Sequence, residues 1–225
     1  MKLASRFLLL IALACVSVSV YAQVPCSQGT AYRGCKACGS AKSKKGQTLN
    51  VQKNNGRKAT TPHRVTVEEI RDPANNVGRF GPKQQVWVTG FVASLDKGGN
   101  KESCNCGRED LRDIHINIVA SPSERNNKTK YVVVEITPRW QARFNLDDSD
   151  YDAMLEKVRG EIEGKWVRFE GWMLSDSFHV SESKSTAKST TPTCKDDGND
   201  PRPCVWRATP WEVHPVTSYR VVSGP

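Results

Sequence analysis

Residues 113–118 read DIHINI, and this short segment decides the fold class. Its side chains alternate strictly between polar and apolar, with isoleucines at every second position. Successive side chains of a β-strand point to opposite faces, so the isoleucines share one face and Asp113, His115 and Asn117 share the other. The segment therefore predicts a strand with a buried apolar face and a polar outer face.

Four further segments predict strands because they are rich in β-branched and aromatic residues. They cover residues 85–92, 130–136, 165–173 and 211–222. Gly90 indicates a bulge or sharp bend in the first of them. Pro215 lacks a backbone donor, so we expect the last strand to be broken or to lie at a sheet edge.

One helix is predicted between the third and fourth strands. Apolar residues recur at helical spacing from Tyr151 to Val158, Asp148 or Ser149 supplies an N-cap, and Gly160 ends the pattern. Three strands, a helix and two strands is the order of an OB-fold, a five-stranded partly open barrel. The predicted fold class is therefore mainly β, a five-stranded OB-like barrel, with a sandwich or another α+β topology as the alternative.

The N-terminus has the pattern of a signal peptide over residues 1–22. Lys2 and Arg6 precede an apolar run from Phe7 to Val20, and Ala22 offers a small residue for cleavage. The run is shorter than the roughly 20 residues of a spanning helix, and no later segment is apolar enough to cross a membrane. We expect a periplasmic or secreted protein without a transmembrane segment after cleavage.

The basic charge is concentrated behind that signal. Removing Lys2 and Arg6 from the 33 basic residues leaves 31 against 24 acidic, a net charge of +7. Residues 23–67 hold nine basic residues and no acid, so the remainder has 22 basic and 24 acidic residues. Because residues 23–64 show almost no periodicity, we predict a basic, largely extended arm before a barrel domain at 65–225. The nine are Arg33, Lys36, Lys42, Lys44, Lys45, Lys53, Arg57, Lys58 and Arg64.

Seven cysteines remain after the predicted cleavage, and in an oxidising compartment most of them should pair. An odd number leaves at least one thiol free or intermolecular. Cys194 and Cys204 bracket a turn-rich interval, which predicts a local disulfide between them. The alternative is that Cys35, Cys38, Cys104 and Cys106 bind zinc through four thiolates at short spacings.

Four motifs carry a resemblance to a known group of proteins. They are ESCNC at 102–106, RDIH at 112–115, VEITPR at 134–139 and WEVHPV at 211–216. Together they resemble a group of exported bacterial proteins of uncharacterised function with an OB-like barrel, over about residues 47–222. The resemblance implies the fold and leaves the function open.

Two acid/imidazole pairs stand out in the predicted strands. Asp113 with His115, and Glu212 with His214, are each two residues apart and so share a strand face. With Glu135 from the third strand, and His179 from the loop after the fourth, they could bind a divalent metal or act in acid–base catalysis. The alternative is that the outer face of the barrel is simply polar.

Ligand binding is the other hypothesis. OB-folds bind oligonucleotides or oligosaccharides on the face of strands two and three. Lys44, Lys45, Arg57 and Lys58 of the arm are candidates for anionic contacts, and Tyr131 and Trp140 are candidates for stacking, together with Trp172, Trp206 and Trp211. The alternative for the aromatic residues is core packing.

The sequence thus favours an exported, non-enzymatic binding domain whose partner is an anionic polymer, a nucleic acid or a cell-surface component, with no cofactor required. The second hypothesis is a metal-dependent hydrolase, nuclease-like in chemistry, that uses zinc or another divalent metal. Its candidate residues are Asp113, His115, Glu135, Glu212 and His214.

Overall fold

A computed structural model describes Cys26, Phe80 and residues 31–72, 84–146, 150–194 and 204–225 of the chain. The predicted signal peptide at residues 1–22 lies outside the described residues. Within those ranges, none of the helices has the length and apolar character that crossing a bilayer requires.

Ten helices and strands make up the regular structure of the described ranges, apart from short 3-10 turns. In chain order they are α1 (Lys44–Lys53), β1 (His63–Val65), α2 (Val67–Arg71), β2 (Gln85–Lys97), β3 (Ile114–Val119), β4 (Val132–Ile136), α3 (Pro138–Arg143), α4 (Tyr151–Ile162), β5 (Trp166–Ser175) and β6 (Trp211–Val222).

Five of the strands close into a barrel in the order β2-β3-β4-β6-β5, and β5 pairs back with β2. The β4–β6 pair is parallel and the other barrel pairs are antiparallel. β1 adds to the outside of β2 as a short parallel strand. This is the strand order of an OB-fold, and it confirms the predicted mainly β, OB-like barrel with a helix between its third and fourth strands.

Apolar residues fill the barrel interior, as the alternation along β3 predicts. Ile114, Ile116 and Ile118 are fully buried in one core with the inward side chains of the other strands. One face of α4, including Met154 and Val158, packs on the same core. The helix differs at both ends from the prediction: Asp150 is the N-cap, and the helix continues through Gly160 to Ile162.

β6 is continuous through Pro215, so the prediction of a broken or edge strand is wrong. The strand pairs with β4 on one side and with β5 on the other. The register of β5 against β6 shifts on both sides of Gly171, which pairs with Val216. At such an irregularity a residue without an N–H is tolerated, because the regular ladder is already interrupted.

The N-terminal segment is folded rather than largely extended over residues 31–64. Ser43 caps α1 by accepting a hydrogen bond from the Gly46 N–H, and the helix buries Leu49, Asn50 and Lys53. Two of these three residues are polar, so the helix has no apolar stripe. The segment is held in place by hydrogen bonds and a disulfide and not by an apolar helix face. Because such contacts leave no periodic pattern in the sequence, its composition predicts an extended arm.

Three disulfides join Cys26 to Cys38, Cys35 to Cys106 and Cys194 to Cys204. The last is the pairing that the local spacing predicts. Cys104 is buried and is the one free cysteine among the described residues. The hypothesis of a four-thiolate zinc site is wrong, because three of its four sulfurs are in disulfides.

We predict that Gly171→Ala destabilises the fold while Gly160→Ala does not. A Cβ at Gly171 would clash with the Pro215 carbonyl oxygen, whereas one at Gly160 meets nothing within 4 Å. Overpacking of this kind costs about 1–3 kcal/mol, and the helical substitution gains about 0.5–1 kcal/mol. Urea unfolding of both variants measures this, and equal stability of the two would contradict the close approach of β5 and β6.

Candidate functional site

The polar outer face of β3, β4 and β6 is buried. In the strand register His115 lies opposite Glu135, and Glu212 of β6 pairs with Val133 of β4. Glu135, Glu212 and His214 are all at most 1% exposed. The side chains that the sequence places outside the apolar core therefore form a second interior, which is polar.

The N-terminal segment and one loop on each side cover this face. The Cys35–Cys106 disulfide ties the segment to the loop between β2 and β3, and the Asn54 side-chain amide donates to the Cys104 carbonyl at 2.7 Å. The indole of Trp172 donates to the Arg57 carbonyl at 3.0 Å. In an OB-fold this is the face that ordinarily binds ligands, and here the chain itself occupies it.

Glu135 lies at the centre of the buried face between two histidines. Its Oε2 is 3.0 Å from His214 Nδ1 and 3.4 Å from His115 Nε2. His115 also lies 3.7 Å from a carboxylate oxygen of Glu102, and these two side chains are 16% and 22% exposed. His115 and Glu102 therefore form the solvent-facing rim of the cluster.

A chain of ion pairs continues from His214 into the protein. His214 Nδ1 is 3.1 Å from Glu212 Oε1, and Arg207 Nη2 lies 3.0 Å from the other carboxylate oxygen of Glu212. Arg207 and Glu212 are fully buried. Arg207 also donates to the Thr209 carbonyl, so the loop before β6 fixes the guanidinium and, through it, the carboxylate.

A second buried ion pair joins α1 to the loop after β5. Lys53 Nζ is 2.5 Å from Asp176 Oδ2, and both side chains are almost completely buried. His179 approaches Asp176 only to 4.0 Å and instead pairs with Glu182 at 2.8 Å. His179 thus lies beside the cluster and not among Asp113, Glu135 and His214.

Asp113 connects the cluster to the free cysteine. Cys104 Sγ lies 3.3 Å from Glu102 Oε2 and 4.0 Å from Asp113 Oδ2. Asp113 is completely buried at the base of β3. The group around Asp113 therefore comprises a thiol and two carboxyl groups.

The bases of the cluster are held in their charged forms. Burial by itself would lower the pKa of His214, but the carboxylates of Glu135 and Glu212 raise it to about 10. Burial likewise opposes charge on His115, yet Glu135 and Glu102 raise its pKa well above the ordinary value. The pKa of Lys53 is raised in the same way by Glu135, Glu212 and Asp176. Each cation is stabilised by the carboxylates around it.

The acids divide into two kinds. Burial would raise the pKa of Glu135, but His115 and His214 hold it well below the usual range. The hydrogen bond with His115 and the charge of Lys53 similarly outweigh burial and lower the pKa of Glu102 to about 2. For Asp113, burial and the charge of Glu102 dominate and raise the pKa to about 7. Asp113 is thus the carboxyl group of the cluster that changes charge near neutral pH.

Among the residues that the structure describes, two sets of three side chains could hold a metal ion. Ligand atoms of Asp113, Glu135 and His214 all lie within 4.8 Å of one another, and the same holds for Glu102, Cys104 and Asp113. Asp113 belongs to both sets. Carboxylate oxygens, imidazole nitrogen and thiolate sulfur are all ligands of zinc and related divalent ions.

The five candidates Asp113, His115, Glu135, Glu212 and His214 form one contiguous cluster, although only three of them meet at one point. His115 contacts Glu135 from the rim, and Glu212 supports His214 from behind. Sequence reasoning missed further members of the cluster that come from loops and from α1, where no periodicity marks them. These are Lys53, Glu102, Asp176 and Arg207.

The predicted stacking residues are not exposed. Tyr131 is buried and donates from its hydroxyl to the Arg125 carbonyl, and Trp140 is part of the apolar core and donates to the Asn55 carbonyl. Trp172 and Trp211 are buried as well. The Trp206 indole donates to Glu182. These rings pack or hydrogen-bond internally, as the core-packing alternative proposed, whereas Lys44, Lys45, Arg57 and Lys58 are exposed.

A surface that the sequence did not reveal lies on the outer side of β1, β2, β5 and β6. Strand register places Arg64 beside Trp87, Phe91 beside Trp166, and Arg168 beside Arg220. Cζ of Arg168 is 3.8 Å and that of Arg64 is 5.5 Å from the centroid of the Trp87 ring. We call these six residues the arginine–aromatic strip.

Comparison with protein-family models and with curated proteins finds no match. Among solved structures, Entamoeba histolytica asparaginyl-tRNA synthetase is similar over 74% of this chain and 25% of its own, at 11% identity and a TM-score of 0.32. The chain therefore spans about a quarter of that synthetase. The fold class is assigned from the strand order of the barrel and not from this similarity.

We predict that Asp113→Asn removes a pH-dependent loss of stability. The pKa of Asp113 is raised from 3.8 to about 7 by folding, so the folded state binds this proton more tightly than the unfolded state. The free energy of unfolding therefore falls as the pH rises through this window. In EDTA, the variant should match the wild type near pH 4 and exceed its stability at pH 8 by on the order of 4 kcal/mol.

Urea unfolding at the two pH values tests this, and Glu156→Gln is the control. Glu156 is 66% exposed and pairs only with Arg159 across one helical turn. Its loss should change stability by about 0.5 kcal/mol or less at either pH. If the free energy of unfolding of Asp113→Asn depends on pH as that of the wild type does, the burial of a charged Asp113 is refuted.

Proposed function

We propose that this protein is an exported OB-like domain that binds an anionic polymer on the arginine–aromatic strip. A single observation carries the proposal. Arg64, Arg168 and Arg220 gather around one side of the barrel, and two of them stack on Trp87. The face that an OB-fold ordinarily offers to ligands is closed, so this is the cationic face that remains open.

The geometry of the strip suits oxyanion recognition. Arginine presents several N–H donors in a planar fork that matches phosphate, sulfate and carboxylate groups. The Trp87 ring restrains the guanidinium groups of Arg64 and Arg168, so less side-chain entropy is lost when a ligand binds. Glu170 lies opposite Trp87 in the register of β5 against β2, and its carboxylate is 3.6 Å from Arg168.

Aromatic rings extend the strip beyond its charges. Phe91 and Trp166 are partly exposed and pack edge to face with their ring centroids 5.8 Å apart. Exposed rings beside arginines are the combination with which proteins bind single-stranded nucleic acid, because bases stack while phosphates pair with cations. Sugar rings of an acidic glycan can pack on the same surface.

The predicted basic residues of the N-terminal segment fall into two groups. Arg57 lies over the Trp172 ring at 5.7 Å, and Trp172 is on β5, next to Glu170 on the same outer face. Arg57 and the adjacent Lys58 thus prolong the strip. Lys44 and Lys45 lie at the start of α1, over the closed polar face. We propose that only the first pair contributes to polymer binding.

Export to the periplasm or the medium is part of the proposal. Three disulfides are typical of proteins that fold in an oxidising compartment. The signal-peptide pattern of residues 1–22 supports the same compartment. An anionic polymer at the cell surface, or nucleic acid outside the cytoplasm, is the partner that such a protein would meet.

A metal-dependent hydrolase is the second candidate function. It is favoured by the three ligand groups of Asp113, Glu135 and His214 near one point, beside the partly exposed imidazole of His115. A substrate would have to enter at the rim formed by His115 and Glu102. Incubation of zinc-loaded protein with single-stranded DNA tests the proposal: cleavage that His115→Gln abolishes would support it, and intact DNA would refute it.

We predict that Arg64→Gln/Arg220→Gln weakens polymer binding and that Lys44→Gln/Lys45→Gln does not. Both variants lose two exposed positive charges, but only the first loses them from the strip. The logarithm of the single-strand binding constant falls linearly with the logarithm of the salt concentration. Each lost phosphate contact should make this slope shallower by about 0.7. At low salt the affinity of the first variant should fall by roughly tenfold or more.

The measurement is a titration of the full chain with a labelled single-stranded oligonucleotide and with heparin at several salt concentrations. Binding of the oligonucleotide alone identifies nucleic acid as the class of polymer, and preference for heparin identifies an acidic glycan. Equal losses in the two double variants would contradict the strip and indicate a diffuse effect of net charge. Deletion of residues 23–64 is not a suitable test, because this segment covers the buried polar face.

A further inference from the structure

We propose that Asp113, Glu135 and His214 form a binding site for one divalent transition-metal ion of the zinc type. The site lies inside the covered polar face and is separate from the arginine–aromatic strip. The inference goes beyond polymer binding and does not depend on it. It supplies the metal that the second candidate function needs, but metal binding is proposed here whether or not the protein is a hydrolase.

The first observation is convergence from three strands or strand ends. Asp113 immediately precedes β3, Glu135 is near the end of β4, and His214 is in the first half of β6. One ligand atom of each lies within 4.8 Å of the others. Ligand atoms that are each about 2.0–2.2 Å from a common zinc ion lie roughly 3–4 Å apart, which is within this limit.

The second observation is a set of buried polar atoms without hydrogen-bond partners. Asp113 Oδ1, Glu135 Oε2 and His214 Nε2 are all inaccessible, and none makes a hydrogen bond to the described residues. Glu135 Oε2 has ionic contacts with His214 and His115 only. An unsatisfied buried polar atom costs on the order of 1–3 kcal/mol, and here one is found on each of the three converging residues. A cation bound between these residues would be coordinated by a carboxylate oxygen of Asp113, a carboxylate oxygen of Glu135 and one imidazole nitrogen of His214.

The surroundings of His214 match the outer shell of a metal site. Glu212 lies 3.1 Å from Nδ1 of the imidazole, which leaves Nε2 as the unpartnered nitrogen. Metal-binding histidines usually donate their second N–H to a carboxylate, which fixes the tautomer and the ring orientation. Arg207 in turn binds Glu212 at 3.0 Å, so the supporting carboxylate is itself held in place.

The permanent charges of the covered face are unbalanced, with more carboxyl groups than cations, and this excess favours the binding of a divalent cation. Two permanent cations lie among five carboxyl groups in the covered face, so the carboxyl groups outnumber them by three. Protonated His115 and His214 reduce this excess to one, and a metal ion would take the place of such protons, because metal binding releases protons from its ligands. The cations are Lys53 and Arg207, and the carboxyl groups are Glu102, Asp113, Glu135, Asp176 and Glu212. A polar cluster compensated only by protons on the histidines is the competing explanation, but it leaves Asp113 Oδ1 and His214 Nε2 without hydrogen-bond partners.

The ligand types point to zinc rather than calcium or magnesium. The hard cations prefer six or more oxygen ligands, whereas an imidazole with two carboxylates suits zinc and its neighbours. Cys104 lies 4.0 Å from Asp113 and offers a soft sulfur in the overlapping set with Glu102. A thiol next to the proposed ligands further favours zinc or cobalt over magnesium.

The experiment compares metal uptake by the full chain with that of a matched set of variants. Wild type, Asp113→Asn, Glu135→Gln and the control His179→Gln are stripped with EDTA, dialysed against Zn2+ and analysed for bound metal. His179 is also a half-buried histidine with a carboxylate partner, but it is outside the proposed site. We expect one Zn2+ per chain in the wild type and the control. Affinity should fall in the other two by more than the roughly 10–100-fold that loss of an outer-shell partner costs.

Thermal unfolding keeps the proposal testable if Glu135→Gln does not fold. Zn2+ should raise the midpoint of the wild type and of His179→Gln, because it binds only the folded state, and should leave Asp113→Asn unchanged. Near-UV circular dichroism verifies that Asp113→Asn is folded. The proposal is overturned if folded wild-type protein takes up no Zn2+ at millimolar concentration. Retention of wild-type affinity by Asp113→Asn, or loss of binding in His179→Gln, would also overturn it. Oligonucleotide binding by the same samples reports separately on the strip.

Discussion

Lys53 and Asp176 form an ion pair with side chains only 8% and 1% exposed, and it joins helix α1 to the loop after β5. Removing two charges from water is expensive, so such a pair persists only where further opposite charges and hydrogen bonds surround it. Here Glu135 and Glu212 also raise the pKa of Lys53. Together with the Cys35–Cys106 disulfide, this contact fixes the N-terminal segment over the barrel. The N-terminal segment excludes water from the outer face of β3, β4 and β6. This exclusion raises the pKa of Asp113, whereas the charges packed around Glu135 and His214 outweigh burial and set their pKa values.

The cover also changes what the fold can do. An OB-fold ordinarily binds its ligand on the face of its second and third strands, between two long loops. In this protein both loops are present, but together with α1 they close over Glu135, Glu212 and His214, and His115 remains at the rim. The open cationic surface of the protein lies elsewhere, on the strip around Trp87. The closed face has the properties of a small, dry, charged interior, which suits an ion better than a chain.

The alternation of polar and apolar side chains predicted the barrel strands because it shows directly which side chains are buried on folding. All five barrel strands were predicted, four of them close to their observed bounds, whereas β2 continues to Lys97, beyond its predicted end at residue 92; the helix before β5 was predicted as well. The errors concern residues whose role depends on distant partners. Pro215 lies beside a register shift that only the partner strand creates, and α1 buries Asn50 and Lys53 instead of an apolar stripe. Neither feature leaves a periodic pattern in the local sequence.

By itself, the sequence determined that Asp113 and His115, and Glu212 and His214, leave their strands on the side away from the apolar core. The physical reason is the two-residue period of a strand, which is a local property of the backbone. Whether that side faced water could not follow from spacing, because burial there depends on Lys53, Glu102, Asp176 and Arg207, which come from segments far apart in the chain. Tertiary structure alone decided that these polar groups meet beneath a cover, since the pairing of charges across such separations is fixed only when the barrel has closed and the N-terminal segment has docked.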